Sequence, residues 1–487
     1  MKPTFTNLIC LFFLQLLSAQ AIYEDERYVP ETDPLVLEKL DQWQDIKFGL
    51  LMHWGPYSQW GVVESWSICP EEYGWCERKK GSNPENYFAY KKEYEELQTT
   101  FNPVKFNPEK WAKAAKNAGM KYVVFTTKHH DGFSMFDSKF TDYKITDSKT
   151  PFSTDPKSNI TKEVFEAFRS EGLWAGAYFS KPDWNVDSYW DPYYPPRDRN
   201  VNYSPEENPE KWQKFTDFTH NQILELLTDY GKVDILWLDG GWVAETPKSE
   251  ITSWYDAQLK DNESGYLKNR IVNQDIKMDE LVEKARKEQP GLIVVDRAVH
   301  GKNQNYLTPE NRIPEKPLPY PWESCIIAGG GWSYSPNAKY MSGREAVHTL
   351  VDIVAKGGNL LLNIAPSPEG EWDAGAYKLL EEIGTWMDVN DEAIYETEAK
   401  APYKYENICV TSKPSGELFL VYLVEEEQNE IPSEIYFEGL VPEGGKAQLL
   451  GFNKRLKWKK KDKGFVIEIP EELKSTLLKT EAFTFKF

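Results

Sequence analysis

Apolar runs of strand length recur along the first four-fifths of the chain: IKFGLLMHW from Ile46, MKYVVFTTKHH from Met120, GLWAGAYFS from Gly172, VDILWLD from Val233, GLIVVDR from Gly291, WESCIIA from Trp322 and GNLLLNIAP from Gly358. Between them the apolar period lengthens to that of helices, as in Pro108–Ala118, Lys162–Glu171, Pro209–Asp229, Lys277–Glu288 and Ser342–Lys356. Strands that are apolar on both faces and alternate with helices belong to a parallel sheet. About eight such units over roughly 350 residues predict a (β/α)8-like, TIM-type barrel. Only seven strands are clear, so the expectation extends to a distorted or partly open barrel.

After Ala393 the pattern shortens. Alternating segments such as NICVTSK, ELFLVYLV, EIYFEGL and AFTFKF are separated by Gly, Pro and charged turns, which predicts a C-terminal antiparallel β-sandwich. The basic run Lys454–Lys463 falls within it and is expected to be a solvated strand edge rather than a polyanion site. Two insertions interrupt the barrel pattern. Pro182–Pro209 is rich in Trp, Tyr, Asp and Pro and follows the third strand; Ala244–Asn269 is polar and follows the fourth, where surface decoration is the expectation.

The N-terminus, MKPTFTNLICLFFLQLLSAQA, combines Lys2, an apolar core and Ala19-Gln20-Ala21, the pattern of an export signal cut after Ala21. The expected organisation is a signal peptide over 1–21, a catalytic barrel over 22–393 and a β-sandwich over 394–487, exported to the periplasm or outside the cell. No other apolar run approaches membrane length, so no membrane insertion is expected. Formal charge is −20, or −21 once Lys2 leaves with the signal, which disfavours nucleic acid and anionic membranes as partners. Cys69 and Cys76 flank a short polar loop and are read either as a disulfide or, with Cys325 and Cys409, as free buried thiols. The oligomeric state is not legible.

Candidate chemistry gathers where strands end, the face on which barrel enzymes bind substrate. VDILWLDGGW (Val233–Trp242) stops abruptly on Asp239, followed by two glycines and Trp242. A single strand-end acid is more often a cap than a catalyst. Here three of the six histidines, His53 and the pair His129-His130, sit at two other strand ends. Neutral imidazoles donate and accept hydrogen bonds and suit sugar hydroxyls. Metal binding is the weaker reading, because no further ligand comes at a recognisable spacing, and no cofactor is expected. Of 18 tryptophans, many lie beside these strand ends, among them Trp54, Trp60, Trp66, Trp75, Trp237, Trp242, Trp322 and Trp332, and flat apolar rings stack on sugar faces. Two-carboxylate glycoside chemistry needs a protonated partner for Asp239. Glu323 in PYPWESC, Glu310 in LTPEN and Glu64 in GVVESW are the candidates, and Glu323 has the more apolar surroundings of the two later ones.

HWGPYS, KHHDGF, LWLDGGW, the VDR at Val295–Arg297, PWES and GGNLLLN together resemble glycoside hydrolase family 29, the α-L-fucosidases, across the whole barrel. The resemblance implies a retaining double displacement on a fucosylated glycan, with Asp239 as nucleophile and His53, His129, His130, Tyr178, Trp237, Trp242 and Arg297 lining the sugar pocket; Glu64 and Trp66 are added as substrate-binding residues. One branch of the family places its acid/base shortly after the DR pair, matching Glu310. The branch with a PYPWES-like segment matches Glu323, favours α-1,3- or α-1,4-linked fucose, and is preferred here. An α-L-galactosidase on the same scaffold and a catalytically inactive glycan-binding barrel are the alternatives.

Overall fold

Seven parallel strands curl into one sheet in the spatial order β5-β4-β3-β2-β1-β7-β6. They are β1 (Phe48–Met52), β2 (Tyr122–Lys128), β3 (Trp174–Ser180), β4 (Ile235–Asp239), β5 (Ile293–Asp296), β6 (Glu323–Ile327) and β7 (Asn359–Asn363). The computed structural model describes residues 28–261, 270–442 and 446–487; the signal expected over 1–21 lies outside them. Almost every strand residue is buried, because alternate side chains face either the barrel interior or the surrounding helices. The five helices expected from the sequence form within about two residues of their predicted ends. The polar insertion after β4 contains a further helix, Lys248–Asp261.

β5 and β6 do not pair directly. The stretch 303–311 lies between them and hydrogen-bonds to both. Asp296 N donates to Asn303 O (2.9 Å) and Asn305 N to Val294 O (2.9 Å) on one side, while Glu323 N donates to Leu307 O (2.8 Å) and Cys325 N to Pro309 O (3.1 Å) on the other. An irregular stave thus takes the place of an eighth strand. It satisfies edge groups that would otherwise be left bare in the barrel wall.

Inside the barrel the side chains form layers. Tyr178, Trp237 and Val295 are register partners on β3, β4 and β5, and two residues below them come Gly176, Ile235 and Ile293. Two residues above are Ser180 and Asp239. The lower end is packed solid: a Cβ on Gly49 would lie 2.3 Å from the Tyr122 ring, so glycine there leaves room for that ring in the barrel floor.

β8 (Glu398–Tyr405), β9 (Ile408–Ser412), β10 (Leu418–Leu423), β11 (Glu434–Glu438), β12 (Lys446–Leu449), β13 (Lys454–Lys461), β14 (Gly464–Glu468) and β15 (Ala482–Lys486) form one antiparallel sheet. Its order is β11-β14-β13-β12-β15-β10-β9-β8, a single sheet curled around its own core. The basic run is a correction to the sequence reading. β13 is an interior strand, and its outward lysines meet glutamates across the sheet, Lys459 with Glu434 (3.0 Å) and Glu468 (3.4 Å).

β10 explains how sheet and barrel hold together. Leu418, Leu420 and Tyr422 face the sheet's own core, while Phe419, Val421 and Leu423 join the barrel's core cluster. Cys409 and Ala482 on the neighbouring strands do the same. Trp386 Nε1 donates to Ala482 O (2.9 Å) and Thr484 Oγ1 to Asn390 Oδ1 (2.7 Å), closing the polar groups of the seam. Phe419→Ala should therefore destabilise the whole chain by about 3–5 kcal/mol. Denaturant unfolding followed by tryptophan fluorescence is expected to remain one transition with a lowered midpoint; a separate early transition with the barrel's midpoint unchanged would contradict this packing.

Candidate active site

Asp239 closes β4 at the upper mouth of the barrel, and the chain leaves it through a left-handed turn at Gly240 (φ 88°). Its two oxygens have different partners. Tyr178 Oη donates to Oδ2 (2.7 Å), and Arg297 Nη1 donates to Oδ1 (3.1 Å). Burial by itself would raise the Asp239 carboxyl, but the Arg297 charge, His130 and the Tyr178 hydroxyl outweigh it and hold the group well below the ordinary carboxylate range. It is ionised at any working pH and 17% exposed, open enough to meet a ligand.

Arg297 does more than neutralise Asp239. Its Nη2 pairs with Glu310 Oε2, its Nε donates to Thr308 Oγ1 (3.2 Å), and its guanidinium lies 5.1 Å from the centre of the Trp237 ring. One planar fork therefore bridges two carboxylates from separate segments above an aromatic floor. Asp296, the preceding residue, points the opposite way and pairs with Lys181 (2.5 Å), as alternation along a strand requires.

The histidines line the adjoining wall. His53 Nδ1 lies 2.9 Å from Asn363 Oδ1, and the Asn363 amide nitrogen donates to the carbonyls of Gly331 (3.2 Å) and Trp332 (2.8 Å). That fixes the amide orientation, so His53 carries its proton on Nδ1 and keeps Nε2 as an acceptor. His129 Nδ1 lies 2.5 Å from Ser65 Oγ. His130 is fully buried with neither ring nitrogen hydrogen-bonded within the chain, and its Nε2 is 3.7 Å from Asp239 Oδ2. Burial lowers His53 to about 4 and His130 to about 3, and holds His129 well below 6.5, so all three are neutral at neutral pH. Trp66 and Trp242 pack edge-on against His130, with ring centres 5.2 and 5.1 Å away. His129, His130 and Asp239 have potential ligand atoms within 4.8 Å of one another. The Arg297 cation already occupies Asp239, which makes this a poor cation site.

Glu64 is buried and has φ 33°, a conformation that side-chain-bearing residues seldom adopt and that often marks functional sites. Burial, reinforced by the charges of Glu310 and Asp239, raises it to about 8, so it is a neutral carboxylic acid beside the Asp239 and Glu310 side chains.

Of the residues singled out in the sequence, His53, Glu64, Trp66, His129, His130, Tyr178, Trp237, Asp239, Trp242, Arg297 and Glu310 come together here. Glu323 does not. It is the first residue of β6, at the lower end of the barrel, completely buried, with Tyr122 Oη donating to Oε2 (2.5 Å) and Tyr306 and Trp237 against it. Trp237 separates it from Arg297, so Glu323 supports the pocket floor from beneath and has no route to a leaving group. The preference for it as acid/base is therefore corrected: its apolar surroundings are those of a barrel core. Several neighbours were not singled out. Asn363 ends β7 within the noted GGNLLLN motif but carried no assigned role. Ser65 and Arg199 give no positional signal at all. Cys69 and Cys76 are both buried, free thiols.

Burial raises Glu323 from 4.5 to about 7. A carboxyl that holds its proton more tightly when folded loses stability as pH rises from about 4.5 towards 7. Glu323→Gln should match the native protein near pH 5 and exceed it by about 1–3 kcal/mol at pH 8, measured by denaturant titration. A difference independent of pH would show that Glu323 is not a buried neutral acid. Turnover in this variant should survive.

A family model described as alpha-L-fucosidase matches residues 15–392. The plasma alpha-L-fucosidase of Rattus norvegicus is 28% identical over 490 residues, 94% of this chain and 94% of that protein. The human tissue alpha-L-fucosidase is 27% identical over 500 residues, 98% and 96% of the two chains. Among solved structures, alpha-L-fucosidase isoenzyme 1 from Paenibacillus thiaminolyticus superposes with a TM-score of 0.71 at 28% identity, covering 93% of this chain and 99% of that one.

Proposed function

The chain belongs to the α-L-fucosidase family of glycoside hydrolases, and we propose that it is an exo-acting, retaining enzyme that releases terminal L-fucose through a covalent fucosyl-enzyme. The observation that carries this reading is the single guanidinium of Arg297 joining Asp239 to Glu310. A retaining double displacement needs two carboxyl groups roughly 5–5.5 Å apart, one ionised and one able to exchange a proton. Adjacent prongs of the Arg297 fork hold the Asp239 and Glu310 carboxyl groups close together.

Asp239 attacks the anomeric carbon; its depressed pKa keeps the attacking oxygen charged, and the Tyr178 hydroxyl and Arg297 hold it in place. Glu310 is the acid/base. Its side chain is 33% exposed at the mouth, on the side from which an aglycone departs and water arrives, whereas Glu64 and Glu323 are sealed in. Glu310 enters the cycle protonated, its proton taken up from solvent at the open mouth, and as the glycosidic bond breaks that proton passes to the departing oxygen. Glu310 then takes a proton from the incoming water, which displaces Asp239 and restores the α-configuration. Neutral His53, His129 and His130 serve the ring hydroxyls, with His53 Nε2 accepting, and the protonated Glu64 is a further donor. Trp237, covered by Arg297 and Tyr178, forms the buried floor beneath the sugar rather than a stacking face. The α-1,3/α-1,4 preference rests on the PYPWES resemblance, and export rests on Met1–Ala21; both belong to this proposal.

Asp239→Asn should lower turnover of an aryl α-L-fucoside by more than about 10³-fold while fucose binding by calorimetry persists. Glu310→Ala should lose about 10²–10⁴-fold on a substrate with a poor leaving group, and on an aryl fucoside with a good leaving group azide should restore turnover with formation of α-L-fucosyl azide. Rescue of Glu64→Ala or Glu323→Ala by azide, with none for Glu310→Ala, would overturn the assignment.

A further inference from the structure

An aromatic path leaves the pocket through Trp66 and Trp242, the rings against His130. The Arg199 guanidinium lies 4.8 Å from the centre of Trp66 and 5.0 Å from that of Trp242, and reaches the Tyr73 ring at 5.9 Å. Tyr73 is stacked on Trp75, with ring centres 4.6 Å apart and planes only 4° from parallel. Each step from His130 to Trp75 is thus under 6 Å.

Trp75 is 47% exposed, the most exposed tryptophan among the described large apolar side chains on the surface. An isolated surface indole would be free to sample rotamers. This one is fixed from behind. Its short helical turn, Gly74–Cys76, is closed by Cys76 N donating to Tyr73 O (2.9 Å) and anchored by the buried side chain of Cys76. Glu71, four residues earlier, accepts from the backbone N (3.0 Å) and Nε (2.9 Å) of Arg199, and its second oxygen from Nη2 (2.5 Å). With its charge paired and its plane against Trp66 and Trp242, Arg199 acts as a spacer rather than an anion receptor. A rigid, flat, half-exposed ring backed by a second ring and continuous with the catalytic pocket presents an apolar face of the kind that pyranose rings stack on.

We infer that Tyr73 and Trp75 form an acceptor-side platform, on which a neutral pyranose of the aglycone, beyond the fucose being released, stacks during hydrolysis. The platform would make the enzyme favour fucose carried on oligosaccharides over fucose carried on small leaving groups. This rests on the fucosidase reading above.

The test compares α-L-fucosyl fluoride, which has no aglycone ring, with three fucosylated trisaccharides carrying α-1,2-, α-1,3- and α-1,4-linked fucose. Trp75→Ala should lower kcat/KM on the best-cleaved trisaccharide about tenfold, chiefly through KM, and leave fucosyl fluoride within about twofold. Trp75→Phe should restore most of the loss. Equal losses on both substrate types would mean that Trp75 only supports the fold, and no loss on either would mean that nothing stacks there; both overturn the platform. So would a native enzyme that cleaves the fluoride and none of the trisaccharides. A native enzyme that cleaves neither would instead remove the fucosidase reading itself.

Discussion

The Arg297 guanidinium is the interaction on which the site depends. It rests on the Trp237 face, and its prongs fix Asp239 from β4 and Glu310 from the stave between β5 and β6. Two carboxyl groups from two separate segments are thus referred to one rigid plane. Without the bridge, two carboxylates held this close would repel each other, which favours protonation of one. The cation permits Asp239 to stay charged. Burial keeps the imidazoles neutral, and burial together with the Asp239 and Glu310 charges keeps Glu64 protonated despite the nearby cation.

The barrel was legible in the sequence because strands buried on both faces and helices buried on one leave different periodicities. Asp239, His53, His129, His130 and Arg297 were legible because each stands where an apolar run stops. Glu323 marks where this reasoning fails. WESCIIA carries its acid near one end, and a run can be recognised without knowing which of its ends faces the mouth; Glu323 lies at the lower end, where a strand begins. Glu310 had the opposite problem. It sits in TPEN, a stretch without strand periodicity, because the stave makes only part of a ladder. Arg199 and Ser65 act through contacts that span long stretches of chain, which no local pattern encodes.

The C-terminal sheet shows the same distinction. Alternation in ELFLVYLV and AFTFKF announced strands, yet β10 is apolar at every position, as strands covered on both sides are. That continuous run marks the seam with the barrel. The outward lysines of β13 lie on the same outer face but away from the seam, where Lys459 pairs with Glu434 and Glu468.

The stave at 303–311 has a consequence for how such chains diverge. Its position is set by hydrogen bonds to β5 and β6 on either flank, so Glu310 is located by the closure of the wall and not by the length of chain that precedes it. Residues can be gained or lost between Arg297 and the stave, or between Glu310 and β6, and the carboxyl will return to the same place. Counting along the chain from the DR pair is therefore a poor ruler for this acid, and relatives that align well over the strands can still disagree on where to look for it.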